Sequence, residues 1–245
     1  MTSAVWPAVL LLHGIGGRAS LWAASVAALA PRQVLALDMP GYDGTRPALT
    51  SFAELADAAL ALLDAAGAAQ ADVVGHSLGG MIALEMALRH PARLRRLVMV
   101  ASSPAFGSRD PAFRESFLAA RRKPLDEGIG MAGVAAALVP GMLGPDAHPA
   151  AAPAAMAAMA SVNEAAYRTT LATLTGFDRR ADLPNVTQPA LLIAGEADQT
   201  APPRGMARMA EAMPDARLLV IPGVGHLLPL EAPDAFHTAL HDFLS

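Results

Sequence analysis

The chain has 245 residues, 53% of them hydrophobic and 16% charged, with a net charge of −4 and no cysteine. That length suits one α/β domain with room for an inserted subdomain; the spread of charge along the chain argues against disorder, and the negative net charge without a long basic run argues against a nucleic-acid partner. The lack of cysteine excludes disulfides, thiolate zinc sites and a cysteine nucleophile.

The amino-terminal stretch Met1–Pro7 has no basic region leading into a long apolar segment. The apolar run Ala8–Leu12 is too short to cross a membrane and ends in a His-Gly loop, so it reads as a strand. A cytoplasmic protein without a membrane partner is expected. A helix over Leu21–Ala30 stops before Pro31, and a strand follows over Gln33–Leu37. The next helix, Phe52–Ala66, starts after the N-cap candidate Ser51 and stops at Gly67. A strand at Asp72–Gly75, a helix at Gly79–His90 and a strand at Arg96–Ala101 come next. From Ser103 to Pro189 no good strand appears. Helices are expected there at about Pro111–Lys123, Gly130–Val139, Pro149–Ala160 and Asn163–Leu174, with Met131, Met142, Met156 and Met159 among their apolar residues. The alternation then resumes with a strand at Ala190–Ala194, a helix at Arg204–Met213, a strand at Arg217–Ile221 and a helix at Asp234–Leu244.

The strand runs are continuous rather than alternating, as expected for strands buried on both faces of a mostly parallel, doubly wound sheet of about six strands. Residues 1–102 and 190–245 form the expected core and 103–189 a helical insertion, since a structureless loop of that length is improbable in a compact domain; its methionines read either as filling helix–helix contacts or as part of a helical cap over a pocket, and both can hold.

The segment Gly75-His76-Ser77-Leu78-Gly79 follows a strand and opens a helix. A tight turn there lifts the central serine out of the sheet's carboxyl edge, and glycines two residues to either side let the backbones close up. A serine hydroxyl is a poor nucleophile until a base takes its proton. His226, in the loop after the last strand, is the best placed base. His13 and His76 flank other sheet-edge loops and read as structural, one bracing its loop and the other packing beside the turn. His237 and His241 stand four apart on one helix without a third ligand, so they read as solvent-facing and no metal is assigned. Asp198, after the fifth strand, is the carboxylate expected to orient the base, with Glu196 the alternative. Oxyanion donors are expected from the backbone N–H groups of Leu78 and Ile15. Trp22, Phe106 and Leu227 fall near the expected mouth and are substrate-pocket candidates. Arg121-Arg122-Lys123 reads first as a solvated helix end and second as a site for a substrate carboxylate.

With Leu11-Leu12-His13-Gly14, Asp38-Met39-Pro40-Gly41-Tyr42, the Gly75–Gly80 turn, Gly195–Asp198 and Gly225-His226 followed by Glu231-Ala232-Pro233, the chain resembles the α/β-hydrolase superfamily over nearly its whole length. Within it, small carboxylesterases and enol-lactone hydrolases of the 3-oxoadipate type look most similar. The segment Ser102–Gly107 adds to that likeness. The resemblance implies hydrolysis of a small ester or lactone through an acyl-enzyme, with no cofactor. Carbon–carbon bond hydrolases of the same fold, and hydrolase-like receptors or regulators, remain alternatives. Members usually carry an antiparallel strand pair before the His-Gly loop; here it is expected to be reduced or absent, leaving a sheet edge open or paired in a homodimer.

A different reaction class competes. Gly14-Ile15-Gly16-Gly17-Arg18-Ala19 between a strand and a helix, with Asp38 ending the next strand, fits a loose dinucleotide-binding pattern. The chain lacks the Tyr-x-x-x-Lys pair of many such oxidoreductases, and this reading leaves the order Ser77, Asp198, His226 unexplained.

Overall fold

The apolar runs pair into a six-stranded sheet in the order β2-β1-β3-β4-β5-β6, with every pairing parallel. The strands are β1 (Ala8–Leu12), β2 (Val34–Leu37), β3 (Ala71–His76), β4 (Leu94–Val100), β5 (Ala190–Gly195) and β6 (Ala216–Ile221). This computed structural model describes residues 6–107 and 110–245; Met1–Val5, part of the amino-terminal stretch read above, and Ser108 and Arg109 of the expected cap lie outside the described residues. Among the described residues no strand precedes β1, so β2 and β6 form the two edges.

Successive residues of the central strands serve opposite faces, as a strand's period of two requires. Leu10 and Leu12 enter one core cluster, and Val9 and Leu11 the other. The first cluster is covered by α2 (Phe52–Ala65), α3 (Leu78–Arg89) and α8 (Pro203–Ala212), and the second by Trp22 and Leu29 at the two ends of α1 (Ala23–Ala28) and by α10 (Pro233–Leu244). Ser51 caps α2: its hydroxyl accepts the Glu54 N–H at 3.2 Å, and the Glu54 carboxylate accepts the Thr50 N–H at 3.0 Å. This reciprocal satisfaction of free donors is why the helix starts there.

The expected helix over Leu21–Ala30 needs correction. A 3-10 turn covers Ala19–Trp22, and the α-helical part is only Ala23–Ala28. Two side chains pull the entry out of helical register. Arg18 forks onto Asp38, with Nε and Nη2 each 3.1 Å from a carboxylate oxygen, while Trp22 is drawn into the core, its ring 6.1 Å from that of Phe236.

Between β4 and β5 lie α4 (Pro111–Asp126), α5 (Gly130–Leu138), α6 (Ala151–Ala160) and α7 (Glu164–Leu174). α4 runs through Pro124 rather than stopping at Lys123. The two strands of chain that connect this unit to the core run together. The Phe106 N–H donates to Phe177 O and the Arg179 N–H to Pro104 O, each at 2.8 Å. Arg179 then forks onto the buried Glu85 of α3 at 2.7 and 2.9 Å. A short helix, α9 (Leu228–Glu231), follows the last strand's loop. Among the described residues no helix is long and apolar enough to cross a membrane.

Candidate active site

Strand order reverses between β1 and β3, which are adjacent although β2 lies between them in sequence. In open α/β sheets a crevice forms at such a switch point, outside the carboxyl ends of the strands. The 13–17 loop after β1 and Ser77 after β3 both emerge there. Ser77 sits at φ 53° and ψ −115°, in the left-handed half of backbone space that a non-glycine residue rarely occupies. The turn closes so tightly that a Cβ on Gly75 would lie 2.2 Å from Gly79 O, and one on Gly79 would lie 2.1 Å from Leu12 O. Only glycine fits at either position.

The structure brings Ser77, His226 and Asp198 together from three loops. Ser77 Oγ lies 3.0 Å from His226 Nε2, and His226 Nδ1 lies 2.8 Å from Asp198 Oδ2. A carboxylate only accepts, so the Nδ1 proton points at Asp198 and Nε2 is left with a lone pair facing the serine hydroxyl. Asp198 is buried, which opposes its ionisation. The His226 hydrogen bond and charge, with the Ala201 and Thr200 N–H groups at 3.0 and 2.7 Å, outweigh that burial and hold its carboxyl below the usual range. Glu196, the alternative, instead accepts the Gly223 N–H at 3.1 Å on the exposed side of the loop.

The other two histidines near the crevice stay neutral. His13 donates from Nδ1 to Gly14 O at 2.8 Å and accepts the Met39 N–H at Nε2 at 3.1 Å; burial pushes it down to about 4. His76 donates from Nε2 to the carbonyl of His226 at 2.7 Å; burial, then the neighbouring His226, pushes it down to about 3. A neutral His76 with its ring 5.2 Å from that of His226 adds no repulsion when His226 gains a proton.

Leu78 supplies the first N–H of α3, which has no intrahelical acceptor, and Ile15 lies in the crevice wall. Two apolar clefts meet at Ser77 and His226. One is lined by Ile15, Trp22, Val139, Met142, Met159 and Leu227, the other by Met81, Ala105, Phe106, Phe113, Phe117 and Leu174. Of the pocket candidates, Trp22 and Leu227 thus fall on one side of the serine and Phe106 on the other. Phe106 meets Phe117 edge-on at 4.8 Å. Arg121 stacks over Phe117 with its guanidinium carbon 3.4 Å from the ring centre, while Lys123 is exposed.

His237 does not face solvent as the sequence suggests: its Nε2 meets Ser25 Oγ at 3.1 Å, half-buried, while His241 is exposed. Asp38, the residue a dinucleotide-binding reading needs for a ribose, is taken by Arg18 and by the Ala19 N–H at 2.8 Å. Sequence reasoning missed Ser102, whose hydroxyl donates to Ser77 O at 2.8 Å and braces the turn. It also missed the role of Met142's backbone, whose carbonyl accepts the His226 N–H at 2.7 Å.

The model of the alpha/beta hydrolase fold family matches residues 7–233. The chain belongs to that family. It is 32% identical over 248 residues to the dihydrolipoyllysine-residue acetyltransferase component of the acetoin cleaving system of Pseudomonas putida, covering 96% of this chain and 63% of that protein. It is 31% identical to the pimeloyl-acyl-carrier-protein methyl ester esterase of Aromatoleum aromaticum, covering 96% of this chain and 97% of the relative. The enol-lactonase structure from Burkholderia xenovorans superimposes with a TM-score of 0.87 at 26% identity, covering 98% and 91% of the two chains. Neighbours of this chain thus include an esterase and an enol-lactonase of the same fold.

Proposed function

We propose that this protein hydrolyses a small carboxylic ester or lactone through an acyl-enzyme at Ser77. The observation that carries the reading is the unbroken line from Ser77 Oγ through His226 to Asp198, at 3.0 and 2.8 Å. Ser77 Oγ attacks the carbonyl carbon as its proton passes to His226 Nε2, and Asp198 steadies the imidazolium. The N–H groups of Leu78 and Ile15 receive the charge that builds on the carbonyl oxygen. As the tetrahedral species collapses, the carbon–oxygen bond to the alcohol breaks and His226 returns its proton to the departing alkoxide. Water then attacks the acyl carbon, giving a proton to His226, and Ser77 leaves with that proton restored. For a lactone the alkoxide stays tethered, and the product is a single hydroxy acid. None of these steps needs a metal or a cofactor.

The two clefts support an ester with apolar groups on both sides of the carbonyl, one among the methionines of the cap and one against the phenylalanines. The test is labelling with a fluorophosphonate, located by peptide mass spectrometry, beside Ser77→Ala, followed by a panel of esters, lactones and carbon–carbon bonded diketones. Labelling of Ser77 and turnover that vanish in the variant are expected. Folded protein that takes no label would overturn the reading in favour of a non-catalytic receptor. Labelling with turnover confined to carbon–carbon bonded diketones would move it to the other reaction class of the fold.

A further inference from the structure

Glu231 closes α9, five residues after the proposed base, and its side chain is buried at 2% exposure. Burying a carboxylate is costly unless its lone pairs are met. Here the donors are three backbone N–H groups. Oε1 accepts from Leu227 at 2.7 Å, and Oε2 accepts from Gly225 at 2.9 Å and from Gly144 at 2.7 Å. Gly225 and Leu227 flank His226 on either side. Gly144 belongs to the cap, so one oxygen atom joins the cap to the loop that carries the histidine.

Three further bonds run along the same seam. The His226 N–H donates to Met142 O at 2.7 Å, the Asp146 N–H to Gly223 O at 3.1 Å and the His148 N–H to Glu231 O at 3.0 Å. The segments interlock backbone against backbone. A Cβ on Gly144 would lie 2.3 Å from Gly223 O, and one on Gly225 would lie 2.5 Å from Gly144 N. The cap on this side is therefore bonded to the loop of the base and does not hang free above it.

The geometry points to Glu231 as a positioning residue for His226. It ties the peptide units on both sides of the histidine to cap residues 142–148 and so keeps Nε2 in line with Ser77. This assignment rests on the reading of His226 as the base. Glu231→Gln keeps the shape but turns one acceptor into a donor, so at least one of the three N–H groups loses its partner in either orientation of the amide. A displacement of about 1 Å at a reacting group costs on the order of a hundredfold in rate.

The experiment measures p-nitrophenyl butyrate hydrolysis by wild type and Glu231→Gln, with active sites counted by fluorophosphonate titration and thermal midpoints recorded beside them. We expect kcat per titrated site to fall about 10- to 100-fold while KM stays within about threefold. A merely structural role would lower the midpoint and the number of titratable sites but leave kcat per site unchanged, and a kcat per site within threefold of wild type overturns the assignment. If Glu231→Gln does not fold, Glu231→Asp, which keeps the charge but is too short to reach all three donors, is held to the same criterion. Wild type that takes no label overturns the hydrolase reading and this proposal with it; a labelled wild type with an unchanged variant overturns the Glu231 assignment alone.

Discussion

Asp198→Asn tests the site most sharply, because the outcome follows from the direction of two hydrogen bonds. Asp198 Oδ1 is held by the Thr200 and Ala201 N–H groups at 2.7 and 3.0 Å. An asparagine must keep its oxygen there, since turning the amide would bury a donor against two donors at about 1–3 kcal/mol for each unmade bond. Its NH2 then faces His226 Nδ1, which must accept. The imidazole proton moves to Nε2, where it points at Ser77 Oγ and blocks proton transfer. We expect kcat to fall about 10³- to 10⁴-fold, equivalent to about 4–5 kcal/mol of barrier, with the thermal midpoint nearly unchanged. The assay is p-nitrophenyl ester hydrolysis at saturating substrate, with circular dichroism to confirm the fold. Asp198→Ala separates two roles. If the carboxylate sets the tautomer, alanine leaves the ring free to choose and is no worse than asparagine; if it serves only as a prop, alanine is worse. Asparagine retaining more than a tenth of wild-type kcat would refute the argument.

Other consequences are open to measurement. His13 is buried neutral with its value pushed from 6.5 to about 4, so the unfolded chain takes up the proton first as pH falls. Its contribution to stability is complete above about pH 6.5 and is lost as pH falls toward 4, amounting to about 2 kcal/mol by pH 5; urea midpoints at pH 7 and pH 5 that agree would contradict this. Arg179→Leu strands the buried Glu85 carboxylate and should cost about 2–3 kcal/mol, discounted for the partial exposure of the arginine. Adding Glu85→Leu should recover most of that loss in a thermal melt, and a double variant no better than the single one would count against the pairing. Phe117→Ala and Met159→Ala enlarge opposite clefts. Each should raise kcat/KM about tenfold for esters lengthened on its own side, tested with one series varied in the acyl group and one in the alcohol. A shift on the same side for both would merge the clefts into one.

Where the sequence could be read, local chemistry coincided with tertiary role. Ser77, Asp198 and His226 each follow a continuous apolar run, and a parallel sheet brings every such loop to one edge. Strand starts were harder to place, because charged residues lie inside strands. β3 opens at Ala71 and β4 at Leu94, ahead of the expected Asp72 and Arg96. Asp72 is fully buried because Arg32 and Arg95 both reach it, while Arg95 and Arg96 also donate to Leu244 O at 2.9 Å. Charge in the sequence marks exposure only until a distant partner neutralises it. The 3-10 entry at Ala19–Trp22 has the same origin, since Asp38 is twenty residues from the arginine it captures. Met142 and Gly144 were illegible for a stronger reason. Nothing local distinguishes them, and their contact with the loop of His226 exists only once the cap has packed.

That dependence bears on how the inserted unit relates to the proposed catalysis. Four of its residues, Val139, Met142, Ala155 and Met159, line one cleft, and the carbonyl of Met142 also holds the His226 N–H. Contact with a substrate in that cleft thus falls on the same residue whose carbonyl holds the N–H of His226, the proposed base. On the opposite side the cap is fastened by Arg179 to Glu85 of α3, the helix whose first N–H lies beside Ser77. Ser77 and His226, the proposed nucleophile and base, are therefore each tied to a different end of the same inserted unit. A substrate large enough to push the two ends apart would lengthen the 3.0 Å contact between Ser77 and His226, on which proton transfer depends steeply. Limits on substrate size should then appear first in kcat and only later in KM, the reverse of what a passive rim around the pocket would give.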